Sequence, residues 1–154
     1  MKMVPAGDHT KGQGEAKELI LFRGHPMIAS THPTTIEVTT ENRLTERGDC
    51  IIGVGASKGC AQLGPKVKEA LRRKDSSVTI RILVGNCSFQ VKAAGDPRLD
   101  LSHPHDVVVR RSDFVSNRTL AIRADAAAKD VPREIVRLLR DPAAVGSMEI
   151  EVEW

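Results

Sequence analysis

Residues 24–59 read GHPMIASTHPTTIEVTTENRLTERGDCIIGVGASKG, and residues 95–130 read GDPRLDLSHPHDVVVRRSDFVSNRTLAIRADAAAKD. The second stretch follows the first by 71 positions with no gap. Gly24, Pro26, His32, Pro33, Val38, Arg47, Ile51, Ala56 and Lys58 land on Gly95, Pro97, His103, Pro104, Val109, Arg118, Ile122, Ala127 and Lys129. That makes nine identities in 36 positions, where composition alone gives roughly two or three. Near-matches agree in kind, as with Ile28 and Leu99, Thr31 and Ser102, or Ile36 and Val107. A unit of about 70 residues is too long for a solenoid repeat and small for a domain by itself. The pattern predicts one body with an internal pseudo-twofold axis.

Each unit reads strand–strand–strand–helix–strand. The first strand is Leu19–Arg23 or Phe89–Lys92, ended by a Gly-x-Pro turn. A His-Pro turn follows in both halves, and proline forces His32 and His103 out of the α region. Thr34–Thr40 alternates, with Ile36 and Val38 on one face and Thr and Glu37 on a wet one. Its twin, Asp106–Arg111, carries Val108 where Glu37 stands and reads as buried on both faces. A third strand is expected at Cys50–Val54 and Leu120–Ala124. Gly64-Pro65 and Pro132 open helices, with Val67, Ala70 and Leu71, then Ile135, Leu138 and Leu139, facing inward. Those prolines are 67 apart, which places a four-residue loss in the second half before its helix. Ser77–Val84 and Met148–Trp154 close the units as strands whose edges, left open, would pair between copies. The fold class is therefore mainly β (α+β): a pseudo-twofold duplicated β-barrel or β-sandwich with two short helices. The organisation is a tail over residues 1–17 and a single domain over 18–154, built of repeats at about 18–85 and 87–154.

At 154 residues, 40% hydrophobic and 28% charged, the chain is of ordinary globular composition. It has no apolar run long enough to span a membrane, and its first residues show no secretory signal. Cys50, Cys60 and Cys87 form no C-x-x-C pair, which suits a reducing cytoplasm without disulfides and argues against a metal finger. The net charge of +3 is uneven. Residues 1–86 hold 13 Lys/Arg against 9 Asp/Glu, and residues 87–154 hold 10 against 11. A basic bias of this kind favours RNA or another polyanion. The 3% aromatic content and absence of Tyr argue against a base-stacking platform.

The repeat also sorts candidate residues. A demand of the fold recurs in both halves, whereas a single site need not. Residues without a polar twin are Glu37, Asp49 and Cys50, and Thr34-Thr35 against His105-Asp106 differs sharply. Asp49 in Arg47-Gly48-Asp49-Cys50 suits a tight turn. Cys50 is a nucleophile only if a nearby base lowers its pKa. The matched His32 and His103 read as turn formers or as one shared metal or anion site on the axis. The run Ser102-His103-Pro104-His105-Asp106, with Arg110 and Lys58 or Lys129, has the donors to hold a phosphate. Gly53–Gly59 has the wrong glycine spacing for a phosphate loop. The candidate catalytic residues are thus Asp49, Cys50, His103, His105 and Asp106, and the candidate ligand-binding residues His32, Glu37, Lys58 and Arg110. No metal site and no cofactor is named.

The runs Gly24-His25-Pro26, Thr31–Val38, Leu44-Thr45-x-Arg47-Gly48-Asp49-Cys50-Ile51-Ile52-Gly53-Val54, Ser102–Arg110 and Asn117–Ala121 resemble an archaeal family of unknown function, number 371 in its series. The resemblance covers about residues 18–153. It implies a small, mainly β domain from an archaeal cytoplasm, and it implies no reaction and no catalytic residues. From the residues themselves the first functional reading is a binding domain for an anionic partner, RNA or a phosphorylated ligand. The alternatives are a small hydrolase or transferase using a His/Asp/Cys cluster, and a structural or assembly protein.

Overall fold

The computed structural model describes residues 13–44 and 48–154. The expected tail falls largely outside this range, as do Thr45, Glu46 and Arg47. The element order is β1 (Glu15–Arg23), β2 (Thr35–Thr39), β3 (Ile51–Gly53), α1 (Pro65–Leu71), β4 (Ser77–Val84), β5 (Cys87–Ala94), β6 (Asp106–Arg110), β7 (Thr119–Ala121), α2 (Arg133–Leu139) and β8 (Val145–Glu153). Each half thus runs strand–strand–strand–helix–strand, with a short 3-10 turn before each helix.

The strands form two four-stranded sheets, and no barrel closes. The large sheet has the order β1-β8-β4-β5, all antiparallel. The small sheet has the order β3-β2-β6-β7, antiparallel at its centre and parallel at both flanks. Exchanging each element for its counterpart in the other half leaves both orders unchanged. Single bridges, Arg23 with Val54 and Ala94 with Ile122, tie the edges of one sheet to those of the other. Two sequence expectations change here. Ser77–Val84 and the closing strand lie in the middle of the large sheet, so neither offers an edge to a second copy. β2 has no wet face either: Thr35, Glu37 and Thr39 are all buried.

The hydrogen bonds also correct the alignment of the halves. Up to Glu41 and Ser112 the counterparts are 71 apart: the N–H of Gly55 donates to Glu41, and that of Arg123 to Ser112. From Gly48 and Ser116 onward they are 68 apart. The N–H groups of Thr31 and His32 donate to the carbonyl of Asp49, and those of Ser102 and His103 to that of Asn117. Glu37 N–H reaches Cys50, and Val108 N–H reaches Arg118. The length difference is therefore three residues, and it sits in the β2–β3 connection rather than before the helix. Cys50 corresponds to Arg118, and Asp49 to Asn117.

Side chains from both sheets and both helices join one apolar cluster. Ile20, Val78, Ile80, Ile82, Met148, Ile150 and Val152 come from the large sheet, and Ile36, Val38, Val107 and Val109 from the small one. Helices of seven residues are unstable alone; α1 is held by Val67, Ala70 and Leu71, and α2 by Ile135, Val136 and Leu139. Leu138, expected inward, is exposed, and Val136 takes its place. Phe22 bridges the sheets. A Cβ on Gly53 of β3 would lie 2.1 Å from its ring, and one on Gly146 of β8 would lie 2.4 Å away, so both positions need glycine to let the ring in.

Phe22→Ala would open a cavity at this junction. The expected cost is about 3–5 kcal/mol, read by urea unfolding; a loss below about 1 kcal/mol would contradict this role for the ring.

Candidate functional site

Side chains alternate along a strand, so the β2–β6 register sorts them by face. Thr35 opposes Arg110, Glu37 opposes Val108, and Thr39 opposes Asp106. These six share one face, turned away from the four aliphatic residues that enter the core. Cys50 reaches this face from the start of β3, and Arg118 from the start of β7.

Glu37 stands at the centre, 4% exposed. Cys50 Sγ donates to its Oε1 at 3.4 Å, and Arg118 Nη1 lies 3.6 Å from the same oxygen. Arg118 Nη1 binds Asp106 Oδ2 more closely, at 2.8 Å. One guanidinium nitrogen thus serves two carboxyl groups and favours Asp106. Burial, and next the charge of Asp106, raise the Glu37 pKa to about 7 from 4.5, against the opposing pull of Arg118 and Cys50. Glu37 is therefore near half-protonated at neutral pH, beside a second carboxyl group. Burial and the Glu37 carboxylate push the Cys50 thiol up to about 12. It stays protonated at neutral pH and acts as a hydrogen-bond donor, without the thiolate a nucleophile needs.

A pocket of about 290 Å³ opens onto this cluster, lined by Glu37, Thr39, Glu41, Arg43, Ile51 and Asp106. A larger hollow, about 430 Å³, lies on the outer face of the large sheet. Its cations Lys17 and Arg81 both pair with Glu151.

The structure gathers Glu37, Cys50, Asp106 and Arg110 from among the sequence candidates. His32 and His103 serve their turns. His32 Nδ1 accepts from the N–H groups of Thr34 and Thr35 at 3.1 and 3.2 Å, and His103 Nδ1 from those of His105 and Asp106 at 3.1 and 2.9 Å. His103 also stands at the rim of the cluster, its Nε2 3.9 Å from Asp106. His105 is exposed, with Nδ1 2.6 Å from Thr40 Oγ1. Asp49 contributes its backbone carbonyl to the His32 turn. Lys58 is paired with Glu18, which also accepts the Gly64 N–H at 2.8 Å and so fixes the start of α1 to β1. Lys129 pairs with Asp130. Neither lysine joins Arg110.

Sequence reasoning missed Arg118, Thr119 and Ser116. The 71-residue offset matched Arg118 with Arg47, a pairing that reads mainly as scaffold, or as a site on the axis. With the three-residue gap in place its counterpart is Cys50, and Thr119 and Ser116 correspond to Ile51 and Gly48. The helix prolines, 67 apart, were the signal that the offset had changed. Corrected in this way, the repeat is broken at Thr35/Asp106, Glu37/Val108, Thr39/Arg110, Cys50/Arg118 and Ile51/Thr119. All of these pairs contribute to the same site.

A family model described as Domain of unknown function (DUF371) matches residues 20–153, a span that takes in the whole cluster. An uncharacterized protein of Methanocaldococcus jannaschii is 38% identical over 123 residues, covering 80% of this chain and 90% of that protein.

The Glu37 shift makes stability depend on pH. The folded state holds the proton up to about pH 7, whereas the unfolded chain releases it near 4.5. This contribution is complete below the lower value, is lost as pH rises between the two, and is constant above them. It amounts to at most about 3 kcal/mol. Glu37→Gln, uncharged throughout, removes that decline. Unfolding free energies of wild type and mutant that keep a constant difference across this window would contradict the assignment.

Proposed function

The chain belongs to the DUF371 family, and from the geometry of its site we propose that it is a small hydrolytic enzyme whose acid–base group is Glu37. The observation that carries this reading is the gathering of the repeat-breaking residues on one face of the small sheet, around a buried carboxyl group that lines a pocket. A catalytic acid or base works best with a pKa near the working pH, and Glu37 has one. Asp106 is the neighbouring carboxylate whose negative charge helps to keep the proton on Glu37. Arg118 positions Asp106 and limits the repulsion between them. Cys50 orients Glu37 by donating to it. The cluster is thus Glu/Asp/Arg/Cys, with His103 at its rim.

A binding domain for RNA has less support. RNA binding draws on a continuous free basic surface, and many of the arginines are committed elsewhere. Arg72 donates to the carbonyls of Leu99 and Asp100, Arg140 to that of Ile28, and Arg133 to those of Ala29 and Ser30. Arg98 pairs with Asp96, and Arg123 with Asp75. Within the same reading the two halves descend from one duplicated unit. The enzyme works in the cytoplasm, where Cys50, Cys60 and Cys87 persist as free thiols.

The test is turnover of a panel of carboxylic and phosphoric esters. Wild-type kcat is expected to inflect near the Glu37 midpoint. Glu37→Gln is expected to lower kcat by about 100-fold or more and to abolish the inflection. Equal turnover in the mutant, or no turnover on any ester of the panel, would refute the proposal.

A further inference from the structure

Arg110 stands on the same face as Glu37 and carries a charge with no acidic partner among the described residues. Its Nε donates to Thr119 Oγ1 at 2.8 Å and its Nη2 to Ser116 Oγ at 3.1 Å. Both acceptors are neutral hydroxyls. Thr119 Oγ1 in turn accepts the Ser116 N–H at 3.0 Å, so the two hydroxyls form a fixed bracket for the guanidinium. The Phe114 ring lies 5.0 Å from the guanidinium carbon, within reach of a cation–π contact.

The second cation is close by. Burial and the charge of Arg118 press the Arg110 pKa below its ordinary value. Arg118 is already engaged by Asp106 and Glu37, so Arg110 is the excess charge of the cluster whenever Glu37 is protonated. A half-buried guanidinium beside another one is unfavourable unless an anion joins them. The fold does not require the arrangement. The other half has Thr39 at the position of Arg110, Cys50 at that of Arg118, Ile51 at that of Thr119 and Gly48 at that of Ser116. Phe114 adds an independent sign. It is 59% exposed, in a chain that is only 3% aromatic, and its ring packs against the Arg110 guanidinium.

We propose that Arg110 and Arg118, walled by Phe114, form a subsite for a small oxyanion group of the substrate, a carboxylate or a phosphate. This deepens the acid–base reading and rests on it. The oxyanion takes the Nη1 side of the Arg110 guanidinium, since Thr119 and Ser116 hold Nε and Nη2; the rest of the substrate then lies over Glu37, and the exposed Phe114 face covers the apolar part next to the anchor. Of the phosphate-holding set read from the sequence, the Ser102–Asp106 run with Arg110 and Lys58 or Lys129, this subsite keeps Arg110 and takes Arg118 in place of the lysine.

The experiment titrates inorganic phosphate, and separately acetate, into the full chain below the Glu37 midpoint. Binding is read from the Nε–H NMR signals of Arg110 and Arg118. Both signals are expected to shift saturably. Arg110→Gln is expected to weaken phosphate binding by roughly tenfold or more, and Arg110→Lys, which keeps the charge but loses the fork, to fall between. Phe114→Ala, at an exposed position, supplies a second variant if the arginine substitutions unfold the chain, and it is expected to weaken binding severalfold. Arginine signals that do not move, shifts without saturation, or an affinity unchanged in the folded variants would overturn the subsite. Glu37→Gln is expected to retain phosphate binding. A subsite that fails while ester turnover persists overturns this inference alone; binding without any Glu37-dependent turnover overturns the acid–base reading instead.

Discussion

The antiparallel pairings of β2 with β6 and of β4 with β8 join the two halves of the chain, and the other contacts between halves are exchanged around them. Each half clasps a turn of the other. The His25 N–H donates to Leu139 at 2.8 Å, and that of Asp96 to Leu71 at 2.9 Å. Arg140 caps the Ile28 carbonyl, and Arg72 caps that of Leu99. The Ala61 N–H binds the His103 carbonyl, and that of Lys129 binds the His32 carbonyl. One half has one helix and four strands, too little to cover its own apolar faces. Closure by the second half places β2 and β6 in the middle of the small sheet, and that position removes Glu37 from water.

Desolvation on this seam is what gives the cluster its chemistry. An exposed glutamate would titrate in the ordinary range. Held at 4% exposure, Glu37 keeps its proton to about pH 7. The surrounding groups then divide the work. Arg118 compensates Asp106 first, Cys50 supplies a neutral hydrogen bond, and Arg110 is satisfied by hydroxyls rather than by charge. Breaking the repeat at facing positions is the means by which a symmetric scaffold accommodates one asymmetric site. A symmetric choice at Glu37 and Val108 would have buried two carboxyl groups or none.

Much of this was legible in the residues. Proline positions, alternation and the repeat gave both helices and all eight strands, with ends displaced by a few residues. Glu37, Cys50 and Asp106 stood out because nothing matched them. The sidedness of β2 was not legible: Thr35, Glu37 and Thr39 look like a wet face, yet the fold buries all three. Arg118 was hidden for a different reason. A change of three residues in a loop shifts every later pairing, and identity counts over an ungapped stretch do not register it. Lys58 seemed suited to an anion, but its partner, Glu18, lies 40 residues away in sequence, beyond the reach of any local pattern.

The central claim is that Glu37, buried beside the Asp106 carboxylate, keeps its proton to near neutral pH. Side-chain carboxyl carbon NMR, followed across a pH titration of the intact chain, tests it most directly. The account predicts a Glu37 midpoint near 7 that falls in Asp106→Asn, where the neighbouring negative charge is gone. A single Glu37 transition near 4.5, independent of Asp106, would contradict it.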